Sequence, residues 1–122
     1  MKNSTSDDEL FGDDENNPIS FVHRYDTVVT FDGGGAYLGI VIAAPLLSDH
    51  RSIARLKEKL RFYLESFFSP FGQQTWQTPR EGKMKIYIKI HHDSCPEAFA
   101  IMQNFKDVAA RRGVELVISI TG

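Results

Sequence analysis

The sequence predicts an α+β fold, a two-layer sandwich in which both helices cover one face of a four-stranded mixed sheet. Two β-rich stretches joined by a glycine turn open the domain, and two helical stretches with apolar stripes follow. Each helix precedes a strand whose apolar residues alternate with polar ones, which indicates a sheet covered on one face only. Right-handed crossovers make strands two, three and four parallel, so the order β-β-α-β-α-β predicts the strand order 1-2-3-4.

The first two strands are predicted to form a hairpin. Stretches 25–31 and 37–44 are rich in β-branched and aromatic residues, and the Asp-Gly-Gly-Gly turn at 32–35 can adopt positive φ. A glycine-rich phosphate loop leads into a helix, whereas this turn leads into a strand. The turn therefore predicts a hairpin and not a nucleotide site.

A long helix is predicted over residues 48–68. Apolar residues recur there at spacings of three and four, and they form one wide stripe that must pack on the sheet. Arg51, Arg55 and Arg61 are predicted on the opposite side, as an ordinary solvated face or a surface for an acidic partner such as the N-terminal tail. Ser48 is the predicted N-cap.

The stretch 69–83 is predicted to be a long loop, because Pro70 disfavours continuation of the helix. The next strand is predicted over residues 84–90. Its strict alternation indicates one face on the core and one towards solvent. Such a strand suits the centre of a sheet with one open face.

The second helix is predicted to open at a capping box, Ser-Cys-Pro-Glu at 94–97, and to end at Gly113. Val108 is among its predicted core residues. The last strand, 114–120, again alternates, with its apolar side chains, including Ile120, predicted to point into the core.

Charge and composition limit the domain organisation. Residues 1–18 hold six acids and one base, whereas the remaining residues hold 13 bases and 10 acids. We predict a disordered acidic tail over 1–18 and a single α+β domain over 19–122. One cysteine excludes an internal disulfide and a four-cysteine zinc site. The chain has neither an apolar run of about 20 residues nor a basic, apolar leader, so a cytoplasmic location is predicted.

Polar residues follow strands two and three where the carboxyl ends of parallel strands meet at one edge. They are His50, His91, His92, Asp93 and Cys95. Imidazole, carboxylate and thiolate bind zinc at about 2.0–2.3 Å. One hypothesis is therefore a metal or small-ligand site at this edge, which could catalyse hydrolysis. Because no HExxH or CxxC spacing is present and adjacent histidines on an extended chain point to opposite faces, a polar helix-capping loop is favoured.

The open face of the sheet is the other candidate surface. The residues predicted to project there are Val29, Lys85, Tyr87, Lys89 and Val117. Single-stranded nucleic acid binds such faces by stacking, but one tyrosine and two lysines favour a protein interface, with a second copy or with a partner. A solvated face is the third alternative. The leading hypothesis is a small non-enzymatic domain that acts through protein contacts, without a cofactor or a membrane contact.

Several short motifs can be compared with known families. They are Asp26-Thr27-Val28 in the hairpin, Glu58-Lys59-Leu60 with Tyr63-Leu64 in the long helix, and Pro96-Glu97 at the second helix. With them, residues 25–120 resemble a family of small bacterial domains of unknown function. The resemblance implies the same order of elements and no assigned activity or cofactor.

Overall fold

The computed structural model describes residues 9–77 and 83–122. Within these residues four strands form one sheet in the order β1-β2-β3-β4, with β1 Thr27–Thr30, β2 Ala36–Ile42, β3 Met84–His91 and β4 Glu115–Thr121. The helices that connect and cover the strands are α1 His50–Phe68, α2 Pro70–Trp76 and α3 Pro96–Ala110. β1 pairs antiparallel with β2, whereas β2–β3 and β3–β4 are parallel. The predicted α+β class and strand order are confirmed.

The sheet has one buried and one open face. In β3, Ile86 and Ile88 are fully buried under the helices, whereas Tyr87 between them and Lys89 after them are exposed. Each fully buried isoleucine contributes about 1.5–3 kcal/mol to folding. The alternation seen in the sequence therefore corresponds to the two sides of this sheet.

The hairpin turn requires glycine at its last position. Gly35 has φ +98°, and a Cβ there would lie 2.3 Å from the Cβ of Lys83. Its N–H donates to the carbonyl of Trp76 at 2.6 Å, which ties the turn to the end of α2. β1 is shorter than the predicted 25–31, since Tyr25 lies outside it and packs against Phe62 instead.

Part of the stretch that was predicted to be a loop is helix α2. Ser69 caps it by accepting a hydrogen bond from the N–H of Gly72, and Pro70 occupies its first turn. Proline ends one helix but also suits the first position of the next, which the prediction missed. The loop predicted for residues 78–82 lies outside the described residues.

Two predicted caps are wrong. Asp49, not Ser48, is the N-cap of α1, and its carboxylate accepts from the N–H of Ser52. Cys95 precedes α3 without a side-chain cap, because the hydroxyl of Ser94 accepts a hydrogen bond from the N–H of Leu46. The predicted capping box is replaced by a link between two loops.

Three predicted burial states are also wrong. Arg55 is fully buried, whereas Val108 and Ile120 are exposed. Arg55 is buried because residues before β1 cover that side of α1. Ile120 lies near the end of the edge strand β4 and leaves 61% of its surface exposed.

We call residues 9–26 the N-terminal segment. Ile19 and Val22 within it are buried in the core, and Asp14 forms an ion pair with Arg51 of α1. The tail was predicted to be disordered through residue 18. Residues 9–18 instead contact α1, and residues 1–8 lie outside the described residues, so the tail stays a prediction there.

Candidate functional site

Three aromatic rings lie side by side on the open face of the sheet. The centroids of Phe31 and Tyr37 are 4.5 Å apart, and those of Tyr37 and Tyr87 are 5.6 Å apart. Strand pairing explains this line, because Tyr37 and Gly39 of β2 stand directly beside Lys85 and Tyr87 of β3. The alternation of β2 and β3 sends these side chains to the same side.

A groove of about 240 Å³ runs between the two tyrosines. Its lining includes Val29, Tyr37, Gly39, Tyr87, Lys89 and Ser119. Gly39 leaves its floor open, and a Cβ there would lie 1.9 Å from the Oγ1 of Thr27. We call this feature the tyrosine groove; apolar and aromatic walls with a lysine at the rim suit an apolar group that neighbours an acidic one.

The charges on this face are mainly positive. The ammonium of Lys83 lies 4.7 Å from the ring centroid of Phe31, and that of Lys85 lies 5.0 Å from that of Tyr37. Lys85 also forms an ion pair with Glu115 at 3.3 Å, and this contact raises its pKa. Lys89 is exposed, so the face carries three lysines and one glutamate among the residues just named.

The predicted interface residues lie on the open face, with different exposures. Val29 is 53% exposed, and Tyr87 and Lys89 are exposed as well, whereas Lys85 and Val117 are half-buried. The sequence analysis missed Phe31, Tyr37 and Lys83. For Tyr37 a signal existed, because the register of the hairpin and the alternation of β2 place it opposite Val29.

The predicted metal-binding edge is only partly assembled. One ligand atom each of His91, His92 and Asp93 lies within 4.8 Å of the others, but His50 and Cys95 are not part of this group. The prediction that the two histidines point to opposite faces is wrong. Their rings stack with centroids 4.7 Å apart, because β3 ends at His91 and the chain turns at His92.

Polar contacts already involve three of the four ring nitrogens of His91 and His92. The Asp93 N–H donates to Nδ1 of His91 at 3.0 Å, which leaves the proton of a neutral ring on Nε2. Nδ1 of His92 lies 3.3 Å from the carbonyl of Thr121, and its Nε2 lies 3.2 Å from the carboxylate of Asp93. A metal ion would have to displace these contacts, which favours the polar loop over a preformed metal site.

A polar stripe on α1 was not recognised in the sequence. Arg51, Arg55, Lys59 and Tyr63 follow one another at four-residue intervals and face the N-terminal segment. Burial lowers the pKa of Arg55 and of Lys59 and raises that of Tyr63. No buried side-chain nitrogen or oxygen among the described residues lacks a hydrogen-bond partner, so this stripe binds the protein's own chain.

A larger apolar cavity of about 420 Å³ lies beside α2. Tyr25, Phe62 and Phe71 line it, with Arg61 and Glu65 at the rim. Both rim charges are paired within the protein. Arg61 contacts Glu58 at 2.6 Å, and Arg112 contacts Glu65 at 2.7 Å. The rim therefore offers less charge to a ligand than the open face does.

No protein-family model, curated protein or solved structure matches this chain. The resemblance to a family of small bacterial domains stays a prediction. Among the helices of the described residues, none combines the length and the apolar character that crossing a membrane requires.

Proposed function

We propose that the protein is a small non-enzymatic cytoplasmic domain that binds a partner protein on the open face of its sheet. The partner presents an apolar or aromatic side chain flanked by acidic residues. The tyrosine groove carries this proposal, because it combines a pocket about the size of one side chain with a positively charged rim. None of the described helices covers this face.

The ring geometry favours protein over single-stranded nucleic acid. Bases stack on ring faces that are open to solvent, but Lys83 and Lys85 already lie over the rings of Phe31 and Tyr37. Neighbouring rings are also inclined to each other by 70° and 60° and do not form a flat platform.

The charges favour an acidic partner over a second copy on this face. Two copies placed face to face would bring six lysines together against two glutamates, and like charges opposite each other are destabilising. An acidic partner meets the same lysines with opposite sign.

The non-enzymatic part of the proposal rests on the predicted site edge. Nδ1 of His91 and both ring nitrogens of His92 already contact backbone or carboxylate groups. The thiol of Cys95 is not part of the ligand-atom cluster of His91, His92 and Asp93, whereas a nucleophile needs a base within hydrogen-bonding reach.

The test is an amide-shift titration with the synthetic peptide Asp-Asp-Glu-Leu-Phe-Gly-Asp-Asp-Glu, which copies residues 7–15 and has the proposed chemistry. We expect shifts along β2 and β3 around the tyrosine groove. Tyr87→Ala and Lys89→Glu should each weaken binding about tenfold, equivalent to about 1.4 kcal/mol. Lys106→Glu, which changes an exposed lysine on α3, is the matched control and should bind normally.

Three results would contradict the proposal. One is the absence of shifts on the open face at about 1 mM peptide, a concentration that detects weak specific binding. Another is a set of shifts confined to α1 and the N-terminal segment, which would mean that the peptide replaces that segment. The third is tighter binding of a ten-residue oligothymidylate with steep salt dependence, the behaviour of a nucleic-acid site.

A further inference from the structure

Among the described residues, no strand pairs with the outer edge of β4. In the described part of the chain the sheet ends at β4, whose seven residues pair with β3 alone. Alternate N–H and C=O groups of such a strand point away from the sheet and can pair with another chain. Proteins usually protect an edge by a short strand, a proline, a bulge or charged residues. β4 has one charge, Glu115 at its start, and residues 116–121 are uncharged.

Ile120 makes this edge apolar as well as open. It lies beside Ile90 in the register of the two strands, on the helix-covered face of the sheet. Ile90 is fully buried, but Ile120 is 61% exposed. Ile118, two residues earlier, is only partly buried. Exposure thus increases along β4 on the face that elsewhere forms the core.

We propose that β4 associates with β4 of a second copy, antiparallel about a two-fold axis, so that two sheets become one of eight strands. One register pairs all seven residues, from Glu115 opposite Thr121 through Ile118 opposite its own copy. It places Leu116 opposite Ile120 of the second copy, so the exposed isoleucine gains an apolar neighbour. An isologous contact of this kind closes on itself and yields a dimer.

The same register avoids electrostatic conflict. On the open face it puts Val117 opposite Ser119, and Glu115 opposite the uncharged Thr121. Like charges directly opposite would be destabilising, and here the two glutamates are at opposite ends of the paired strands. The edge is therefore self-complementary in both its side chains and its backbone groups.

This inference uses a different surface from the proposed partner site. Pairing at the edge extends the sheet sideways and leaves the tyrosine groove accessible. A negative peptide titration would therefore not contradict the proposed dimer. A monomeric protein would likewise not contradict partner binding at the tyrosine groove.

Sedimentation equilibrium with Ile120→Lys tests the inference. We expect the wild-type chain at about 100 µM, well above a micromolar Kd, to have twice the monomer mass of 13.8 kDa. Ile120→Lys should be monomeric there, because the charge would be buried against Leu116 of the second copy. Leu47→Lys is the matched control, since Leu47 is 63% exposed and lies outside the sheet, and it should dimerise normally.

Hydrogen exchange provides a readout that does not depend on a variant. Amides of β4 in the wild-type chain should exchange more slowly as protein concentration rises, whereas those of β1, at the other edge, should not change. This measurement decides the question even if Ile120→Lys fails to fold.

Four results would overturn the inference. They are a wild-type chain that remains monomeric at about 1 mM, a dimer that persists in Ile120→Lys, β4 exchange that is independent of concentration, and a dimer lost in Val29→Lys but kept in Ile120→Lys. The last result would place the contact on the open face, where Val29 lies.

Discussion

Replacing Arg55 by methionine tests whether the N-terminal segment is an integral part of the folded domain. The buried guanidinium donates to four backbone carbonyls of that segment. They belong to Leu10, Gly12, Ile19 and Ser20, at 2.5–3.1 Å. Methionine keeps much of the side-chain volume and the helix propensity but donates no hydrogen bond.

The expected loss of stability is about 3 kcal/mol. Hydrogen bonds from a charged donor contribute about 1.5–3 kcal/mol each, and four such carbonyls would sum to roughly the whole stability of a small domain. That sum is too large, since methionine also removes the desolvation cost of the buried charge, the same burial that lowers the pKa of Arg55. The released carbonyls can also bind water. A buried carbonyl that loses its donor costs about 1–3 kcal/mol, and with some of the four carbonyls hydrated we expect a total of about 3 kcal/mol.

Urea unfolding measures this difference, with Lys57→Met as the control. Lys57 is an exposed residue on the same helix and should change the free energy of unfolding by less than about 0.5 kcal/mol. Amide spectra of Arg55→Met should show residues 9–20 shifted towards unfolded values. If Arg55→Met is as stable as Lys57→Met and residues 9–20 keep their shifts, the segment is not held as described.

Two further predictions concern the buried Tyr63 and the half-buried Glu58. Tyr63→Phe should reduce the free energy of unfolding by about 1–3 kcal/mol, because it removes the hydroxyl that donates to the Gly39 carbonyl and accepts from the Asp26 N–H, at 2.9 and 2.7 Å; a loss no larger than that of Tyr37→Phe would contradict it. The hydrogen bond from Arg61 lowers the pKa of Glu58 below its ordinary value of 4.5. Ionised Glu58 therefore stabilises the folded protein above that pH, and this stabilisation is lost as the pH falls through the pKa of Glu58 in the folded state. Between about pH 6 and pH 3 the free energy of unfolding should therefore decrease less for Glu58→Gln than for the wild type. Equal decreases in the two proteins would contradict this prediction.

The sheet could be predicted because the alternation of polar and apolar residues shows which face of the sheet each side chain occupies. Met84 to Ile90 alternate, and the glycine turn at 32–35 lies between two β-rich stretches, which favours a hairpin. Chain order and crossover handedness then leave few topologies. These are local or nearly local rules, and the sheet obeys them.

The N-terminal segment could not be predicted by the same rules. Its acidic composition indicates disorder when it is considered alone, and Arg55 on a helix looks like a solvated residue. The carbonyls that Arg55 binds are main-chain atoms, which carry no residue-specific signal, and they are 35 to 45 positions away in the chain. The four-residue spacing of Arg51, Arg55, Lys59 and Tyr63 was a signal in the sequence. Polar side chains repeated on one helix face can bind a segment of chain that covers them.

The candidate site divides in a similar way. Tyr87 and Lys89 were placed on the open face from alternation within one strand, whereas the groove depends on where β2 pairs with β3. Shifting that register by one residue would move Tyr37 to the core side and close the groove. Site prediction therefore failed where it needed the register between strands.

The two proposed surfaces have a joint consequence, because they belong to the same sheet. A dimer through β4 would place two tyrosine grooves on one continuous eight-stranded face, related by the two-fold axis. A partner with two suitable segments could then bind both, and its second contact would be intramolecular, with a gain in avidity of up to about 10²–10⁴ when the linker spans the grooves. Ile120→Lys should abolish this gain and leave binding of a single segment unchanged. A tandem peptide that binds Ile120→Lys and the wild type equally well would show that the edge and the face act independently.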